Sequence, residues 1–220
     1  VSGPLSFCNG GSVTLTAASG QTYAWSNGAT TQSITVSQAG TYSATVTSSD
    51  GCSGTTGTYT TSVFLGADTA VTASGPLSFC NGGSVTLTAA AGQTYSWSNG
   101  ATTQSITVSQ AGAYSATVTS SDGCTGTTAI YTTSVFLGAD TSVTVSGPLS
   151  FCNGGSVTLT AAAGHTYAWS NGATTQSITV SQTGSYSASV TSSDGCIGTT
   201  AIYTTSVFLG ADTAVTASGP

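Results

Sequence analysis

The sequence of 220 residues has no lysine, arginine, glutamate or methionine, and its six formal charges are all aspartate. Proteins that bind nucleic acid neutralise phosphates with lysine and arginine, so a nucleic-acid partner is excluded. The same lack excludes attachment to anionic membranes through a basic patch. No apolar run approaches the roughly 20 residues of a membrane-spanning helix, so we expect no membrane insertion within this sequence.

Three nearly identical copies of a 72-residue sequence make up the chain, as Cys8, Cys80 and Cys152 show by their even spacing. Aligning residues 5–76 with 77–148 leaves eight differences, most of them exchanges between small residues. Self-similarity at a fixed period indicates a repeat protein. The predicted repeats are residues 1–68, 69–140 and 141–212, with residues 213–220 as the start of a fourth repeat, and we expect a longer array.

Catalytic chemistry lacks its usual base. His165 is the only histidine, and Gln21 and Gln93 hold the same position in the other repeats. A serine or cysteine nucleophile cannot form a conventional triad without a base. We therefore expect no catalytic residue and no enzyme.

Alternating apolar and polar residues predict β-strands throughout each repeat. In "SVTLTA" at 12–17, Val13 and Leu15 alternate with threonines, which is typical of a strand with one buried face. Asn27-Gly28 predicts a type I′ hairpin turn, and residues 55–66 contain the longest predicted strand. No segment has helical periodicity, so an all-β sandwich is expected.

The order of these features resembles the immunoglobulin and fibronectin type III sandwich. Trp25 lies on the third predicted strand, and "ITVSQAGTYSATV" at 34–46 passes through a tight corner into a strand that begins near Tyr42. The resemblance implies a tyrosine corner, in which the Tyr42 hydroxyl bonds back to the preceding turn. Leu15 and Ala44 stand where antibody domains have their core cysteines. The expected fold is all-β, with tandem immunoglobulin-like β-sandwich repeats of 72 residues in a linear array.

At a finer level the motifs "CNGGSVTLTA", "YAWSNGATTQSITVS", "GTYSATVT" and "DGC" occur in this order. This string resembles the tandem immunoglobulin-like repeats of secreted Bacteroidota cell-surface proteins, including gliding adhesins exported by the type IX pathway. The resemblance implies an extracellular or cell-surface stalk, adhesin or filament. The near-identical copies and the lack of basic residues depart from that family, so no particular ligand carries over.

Six cysteines at strict spacing in a small-module, apparently secreted protein predict disulfides. Repeat symmetry leaves two schemes, one within repeats and one between them. The first has Cys8–Cys52, Cys80–Cys124 and Cys152–Cys196; the second has Cys8–Cys124 and Cys80–Cys196, leaving Cys52 and Cys152 for neighbours outside the sequence.

Strand parity distinguishes the two schemes. In a seven-strand sandwich the turns that hold Cys8 and Cys52 lie at opposite ends, too far apart for a disulfide. This favours the pairing between repeats, provided that the short segment 29–31 forms a strand of its own. If it does not, both cysteines fall at the same end and the pairing within the repeat becomes easy.

The aspartates do not form a dense acidic loop. Asp50 belongs to a predicted Asp-Gly turn and Asp68 to the linker between repeats, whereas calcium takes six to eight oxygen ligands. We therefore expect no metal site and no cofactor.

Linker threonines match a short glycosylation pattern. Asp-Thr-Ala at 68–70 and 212–214 resembles the O-glycosylation pattern of Bacteroidota, so Thr69 and Thr213 are candidate sites. Thr141 is a weaker candidate because Ser142 replaces the apolar third residue.

The sequence therefore predicts a structural role, as the subunit of an extracellular filament or adhesin stalk stabilised by disulfides. Its expected partners are neighbouring repeats of the same chain and identical chains. The alternative is a multivalent adhesin module that binds glycans or surfaces through outward residues such as Thr14 and Thr45, with repetition supplying avidity.

Overall fold

A computed structural model describes residues 1–20, 22–164 and 166–210 of the chain. All regular secondary structure in these residues is β-strand. Among them there is no helix long and apolar enough to cross a membrane. The chain divides into two compact units. The first contains Val1–Gly75, Val85–Val108 and Gly112–Thr132; the second contains Pro76–Ser84, Ser109–Ala111 and, among the described residues, 133–164 and 166–210.

The strands repeat in the same order along the three copies. In the first repeat they are β1 to β8: Ser6–Cys8, Val13–Thr16, Thr22–Trp25, Ser33–Val36, Gly40–Tyr42, Ala44–Thr47, Ser53–Thr55 and Tyr59–Phe64. In the second they are β9 to β17: Val71–Ala73, Ser78–Cys80, Val85–Ala89, Thr94–Trp97, Ser105–Val108, Gly112–Tyr114, Ala116–Thr119, Thr125–Thr127 and Tyr131–Phe136. In the third they are β18 to β26: Val143–Val145, Ser150–Cys152, Val157–Ala161, Thr166–Trp169, Ser177–Val180, Gly184–Tyr186, Ala188–Thr191, Ile197–Thr199 and Tyr203–Phe208.

Two antiparallel sheets enclose the core of the first repeat. One is β2–β4, in which Leu15 lies opposite Ile34; the other is β3–β6–β7, in which Trp25 lies opposite Ala44. All four side chains are buried, with exposures between 1% and 6%. Successive side chains of a strand point to opposite faces, so the apolar alternation in the sequence forms the core.

A third small sheet joins the ends of each repeat's chain. Strand β1 pairs in parallel with β8, and β5 pairs antiparallel with β8. As predicted, residues 55–66 contain the longest strand of the first repeat, β8, and a short break at residues 56–58 separates it from β7. The Thr56 side chain causes the break: its Oγ1 accepts the Ala44 N–H at 2.9 Å and donates to the Gly57 carbonyl at 3.0 Å. The chain then leaves β6 and joins the third sheet.

The predicted type I′ turn at Asn27-Gly28 is also wrong. A type I′ turn needs a positive φ at both of its central residues. Gly28 has a φ of 85°, but no non-glycine residue in the described part of the chain has a positive φ. The Gly28 N–H donates to the Trp25 carbonyl at 2.9 Å, and the Trp25 N–H donates to the Ala29 carbonyl at 2.8 Å. These bonds describe a type I turn closed by a left-handed glycine, another common hairpin loop.

Residues 29–31 do not form the strand that the parity argument required. The segment still carries the chain back across the sandwich, because two of its carbonyls accept hydrogen bonds from Trp25 of β3. The Trp25 indole N–H donates to the Thr31 carbonyl at 2.8 Å, and the Trp25 backbone N–H donates to the Ala29 carbonyl. Residues 29–31 are therefore irregular, but the chain runs in the same direction as it would if they formed a strand.

The tyrosine corner implied by the immunoglobulin resemblance is confirmed. The Tyr42 hydroxyl donates to the Gln38 carbonyl at 3.4 Å, and Tyr186 repeats this bond to Gln182. Together with the two-sheet topology and the buried tryptophan, this makes the fold a tandem array of immunoglobulin-like β-sandwich repeats.

Candidate functional site

Two disulfides join successive repeats. Cys8 is bonded to Cys124 and Cys80 to Cys196, each with a Cα–Cα distance of 5.6 Å and a sequence separation of 116. Each bond lies within one compact unit. Among the two schemes, the structure has the pairing between repeats.

In the first disulfide, Cys8 lies at the end of a strand and Cys124 lies after a turn. Cys8 ends β1 beside Phe64 of β8. Cys124 follows the turn that begins at Ser120, and its N–H donates to Ser120 Oγ at 3.1 Å. Only 1% of Cys124 is exposed, so the disulfide is shielded on that side.

Each joint has a linker, residues 67–70 in the first joint and 139–142 in the second, and an aspartate shapes each linker. Asp68 Oδ1 accepts the Ala70 N–H at 2.9 Å, and Asp140 Oδ1 accepts the Ser142 N–H at the same distance. The bonds from the Ser142 backbone and hydroxyl hold the pKa of the exposed Asp140 carboxyl below its ordinary value of 3.8. Such Asx turns direct the chain into the next repeat's first strand.

A threonine methyl at the start of each later repeat then lies against a glycine of that same repeat. A Cβ built on Gly126 would lie 2.7 Å from Thr69 Cγ2, and one on Gly198 would lie 2.5 Å from Thr141 Cγ2. Only glycine allows this approach, because any side chain would displace the linker. The pair forms a close apolar contact in both joints.

Hydrogen bonds to the backbone carbonyls of residues 68–71 hold the linker of the first joint and the strand that follows it. Gln93 Nε2 donates to the Asp68 carbonyl at 2.8 Å, and the Ala90 N–H donates to the Ala70 carbonyl at 3.0 Å. The Tyr131 hydroxyl donates to the carbonyl of Val71 at 3.0 Å.

The second joint repeats this pattern within the other compact unit. There the Ala162 N–H donates to the Ser142 carbonyl at 2.9 Å, and the Tyr203 hydroxyl donates to the Val143 carbonyl at 3.5 Å. The joint is therefore a reproducible contact, built twice from equivalent residues.

The joints also complete the cores of the repeats that receive a linker. Val118 and Val190 are 0% exposed, whereas the equivalent Val46 of the first repeat is half-buried. Ala139 and Val143, from the start of the third repeat and the linker before it, pack against the core cluster that contains Val190. Full burial of a valine is worth about 1.5–3 kcal/mol relative to exposure, so the linker contributes to the stability of the next repeat.

The other predicted site residues are placed as follows. Thr69 and Thr141 are half-buried in the joints, and their O-glycosylation stays a prediction. Thr213 and His165 lie outside the described residues. Asp50 is exposed in its turn, and no cluster of metal-ligating side chains occurs in the described ranges.

Sequence reasoning missed the glycine that receives the threonine. The signal is the Gly that stands two residues after the second cysteine in every repeat, as Gly54, Gly126 and Gly198. A glycine inside a strand marks a bulge or a close backbone approach, so the position could have been found.

Outward hydroxyls pair across strands on the solvent face. Thr14 Oγ1 lies 3.2 Å from Thr35 Oγ1, and Thr16 Oγ1 lies 2.9 Å from Ser33 Oγ. Cross-strand pairs of this kind stabilise a sheet, so part of the hydrogen-bonding capacity of this face is used internally.

Neither a protein-family model nor a curated protein matches the sequence. Among solved structures, the chain is similar to an ICAM-5 D1-D4 ectodomain fragment, at 14% identity and a TM-score of 0.48, with 94% of this chain and 75% of that chain covered. It is also similar to extracellular domains 3–5 of Drosophila OTK, at 12% identity and a TM-score of 0.38, with 92% and 93% covered. A third match is Bacteroides ovatus SGBP-B, in complex with a mixed-linkage heptasaccharide, at 14% identity and a TM-score of 0.22, with 95% and 67% covered.

Proposed function

We propose that the chain is part of an extracellular filament or adhesin stalk, in which disulfides and inserted linkers hold consecutive immunoglobulin-like repeats together. The observation that carries this proposal is the repetition of one joint. Cys8–Cys124 and Cys80–Cys196 have the same separation, and each is accompanied by the same threonine–glycine contact. A stalk needs such uniform joints, whereas a binding protein needs a distinctive site.

The chemistry of the joint suits a protein that must resist unfolding outside the cell. In the chain-entropy model, a bond across a separation of 116 residues stabilises the folded state by about 5 kcal/mol. Disulfides persist in oxidising compartments, which supports an extracellular or surface location. The sequence resemblance to Bacteroidota surface repeats supports the same location, and export by the type IX pathway belongs to this proposal.

A glycan-binding or surface-binding adhesin is the alternative function. The solvent-facing threonines recur in each repeat, and repetition of a weak site would give avidity. The internal pairing of Thr14 with Thr35 weighs against this alternative, because it occupies hydroxyls that a sugar would need.

Imaging together with a binding screen distinguishes the two functions. The purified chain is imaged by negative-stain electron microscopy, and the same preparation is applied to a glycan array. A stalk gives straight particles of three evenly spaced beads and a silent array. The matched control is the variant C8S/C124S/C80S/C196S, which should give particles with variable angles between beads. Compact particles together with saturable glycan binding would contradict the stalk and support the adhesin.

A further inference from the structure

Each repeat contains three dipeptides in which asparagine or aspartate precedes glycine. In the second repeat they are Asn81-Gly82, Asn99-Gly100 and Asp122-Gly123, and the other repeats have the same dipeptides at the equivalent positions. Such a dipeptide can rearrange without an enzyme, because the glycine nitrogen can attack the side-chain carbonyl carbon and glycine has no side chain that obstructs the attack. The nitrogen becomes a nucleophile only when it loses its proton. A hydrogen bond donated by the glycine N–H therefore slows the reaction.

The glycine N–H is bonded in two of the three dipeptides. The Gly100 N–H donates to the Trp97 carbonyl at 2.8 Å, and the Gly123 N–H donates to the Ser120 carbonyl at 3.0 Å. The equivalent glycines of the other repeats donate the same bonds: Gly28, Gly51, Gly172 and Gly195. Both turns thus hold the proton that the reaction must remove.

The asparagine side chain of the Asn99-Gly100 hairpin loop is bonded as well. Asn99 Oδ1 accepts the Ala101 N–H at 3.2 Å, and Asn27 and Asn171 accept the equivalent bonds at the same distance. The amide would lose this bond if it rotated to meet the glycine nitrogen. The hairpin asparagines are therefore restrained at both reacting groups.

The Asn81-Gly82 dipeptide lies in a different turn, which uses neither reacting group. The Gly83 N–H donates to the Cys80 carbonyl at 2.8 Å and Gly82 has a φ of 87°, which is typical of a type II turn with the dipeptide at its centre. In the described part of the chain, neither the Gly82 N–H nor the Asn81 side chain has a hydrogen-bond partner. Both residues are exposed, so water reaches them.

The first repeat has the same turn. The Gly11 N–H donates to the Cys8 carbonyl at 2.8 Å, and Gly10 has a φ of 88°. Asn9 therefore directly follows one disulfide cysteine, as Asn81 follows the other. The hairpin asparagines are equally exposed, so hydrogen bonding distinguishes the two kinds of site and exposure does not.

We propose that Asn9 and Asn81 are sites of spontaneous modification, at which a succinimide forms and opens to aspartate or isoaspartate. The hairpin asparagines Asn27 and Asn99 are protected from this reaction by their turns. Asn153 has the same turn as Asn81, with the Gly155 N–H bonded to the Cys152 carbonyl, and reacts in the same way. The inference goes beyond the proposed stalk function and does not depend on it.

Water is the only co-reactant. The glycine nitrogen loses its proton and bonds to the asparagine Cγ, and the side-chain nitrogen leaves as ammonia, which closes a five-membered succinimide ring. Water then adds to one of the two ring carbonyl carbons and breaks the bond between that carbon and the ring nitrogen. Opening at Cγ gives aspartate, and opening at the former backbone carbonyl carbon gives isoaspartate. No atom is oxidised or reduced.

Either product places a new carboxylate beside a disulfide that joins two repeats. Carboxylates of this kind are ionised at neutral pH. Two of them would change the formal charge of the chain from −6 to −8, which is a large change for a chain with only 3% charged residues. A net charge farther from zero keeps proteins soluble and apart, so the modification affects how identical chains approach one another.

Peptide mapping of the aged chain tests the proposal. The folded chain is kept in mildly alkaline buffer with its disulfides intact, then reduced, alkylated and cleaved after aromatic residues. Peptide 80–95 contains Asn81 and peptide 98–114 contains Asn99, so the two sites are measured separately, and the other repeats divide in the same way. Fragmentation of each peptide assigns the mass change, in which OH replaces NH2, to a single side chain.

We expect modification of Asn81 to be at least about ten-fold faster than that of Asn99, and the same ratio between Asn9 and Asn27. A ten-fold ratio corresponds to about 1.4 kcal/mol, which is comparable to the net contribution of one hydrogen bond. Equal rates at the two kinds of site, or a faster reaction at Asn99, would overturn the proposal.

The reduced and alkylated chain in urea is the control, because it keeps both dipeptides and loses both turns. Its Asn81 and Asn99 should react at similar rates. A persistent ten-fold difference in the unfolded chain would show that the turns do not protect Asn99. No reaction at Asn81 of the folded chain, over the time in which the unfolded chain reacts completely, would overturn the proposed site.

Glutamine substitutions give a second measurement, since the longer side chain would have to close a six-membered ring and reacts more slowly. Thermal melting first shows that each variant is folded. Anion-exchange chromatography then measures the acidic species that form on ageing. These species should largely disappear in the variant Asn9→Gln/Asn81→Gln/Asn153→Gln and persist in the matched control Asn27→Gln/Asn99→Gln/Asn171→Gln. The opposite result would assign the modification to the hairpin loops.

Discussion

Thr69 Cγ2 lies so close to the backbone of Gly126 that a Cβ on the glycine would come within 2.7 Å of it. The second joint has the same relationship between Thr141 and Gly198. The threonine at the start of a repeat thus depends on the absence of a side chain at the glycine later in that repeat. The contact fixes the linker on the repeat that it enters, while the disulfides join successive repeats.

Gly126→Ala should destabilise the chain. The added methyl group overlaps Thr69 Cγ2, and overpacking of this kind costs about 1–3 kcal/mol. For a chain of this size the thermal midpoint should fall by roughly 2–4 °C for each kcal/mol. Gly54→Ala is the matched control, because nothing lies within 4 Å of its Cβ. Thermal melts compare the two variants as dilute monomers in which Cys52 and Cys152 remain free thiols. An equal loss of stability in both variants would contradict the contact between Thr69 and Gly126.

Val118→Ala should cost more stability than Val46→Ala. Val118 is 0% exposed beneath the incoming linker, whereas Val46 is half-buried. Removing two buried carbons costs about 2 kcal/mol or more once the cavity is included. The chemical change is the same at both positions, so urea denaturation measures the effect of the linker directly. If Val46→Ala were equally destabilising, the linker would not complete the core.

The regular part of the fold was predictable from local pattern. Alternation around Leu15 predicted a buried strand face, and the position of Tyr42 predicted the corner bond to Gln38. These features depend on residues close in the sequence. The turn at Asn27 was mispredicted because an Asn-Gly pair fits two hairpin loops, and the choice depends on hydrogen bonds to Trp25.

The joints were only partly predictable. Cysteine spacing left two pairing schemes, since repeat symmetry allows both and loop entropy favours neither strongly. The choice depends on how the chain returns across the sandwich after Trp25, and this segment does so without forming a strand. The seat at Gly126 involves Thr69, 57 positions earlier in the sequence, and no local pattern shows such a contact.

Ser142→Ala should raise the pKa of Asp140 towards its ordinary value of 3.8, because it removes the hydroxyl that donates to the carboxylate. The folded-state pKa of Asp140 lies below the unfolded value. The ionised carboxyl therefore stabilises the fold at pH values above the unfolded pKa, and this contribution is lost as the pH falls through the folded pKa. Carbon-13 NMR titration of the Asp140 side chain measures the shift in both proteins. An unchanged pKa would show that the Ser142 hydroxyl does not bond to it.

Peptide mapping should find the two disulfides between repeats. Cleavage after aromatic residues alone gives peptides 8–23, 80–95 and 152–167 for the first cysteine of each repeat, which differ at position 19 and its equivalents or at His165. The peptides of the second cysteine are 43–59, 115–131 and 187–203, and these differ at Ser53, Thr125 and Ile197. All six are thus distinguishable by mass despite the near-identity of the repeats.

Under non-reducing conditions we expect peptide 8–23 linked to 115–131 and peptide 80–95 linked to 187–203, as in the structure. Reduction before alkylation is the control, and it should release every peptide singly. A linked pair of 8–23 with 43–59 would contradict the joint, because Cys8 would then close its own repeat. The mass of each linked pair therefore tests whether successive repeats are joined covalently.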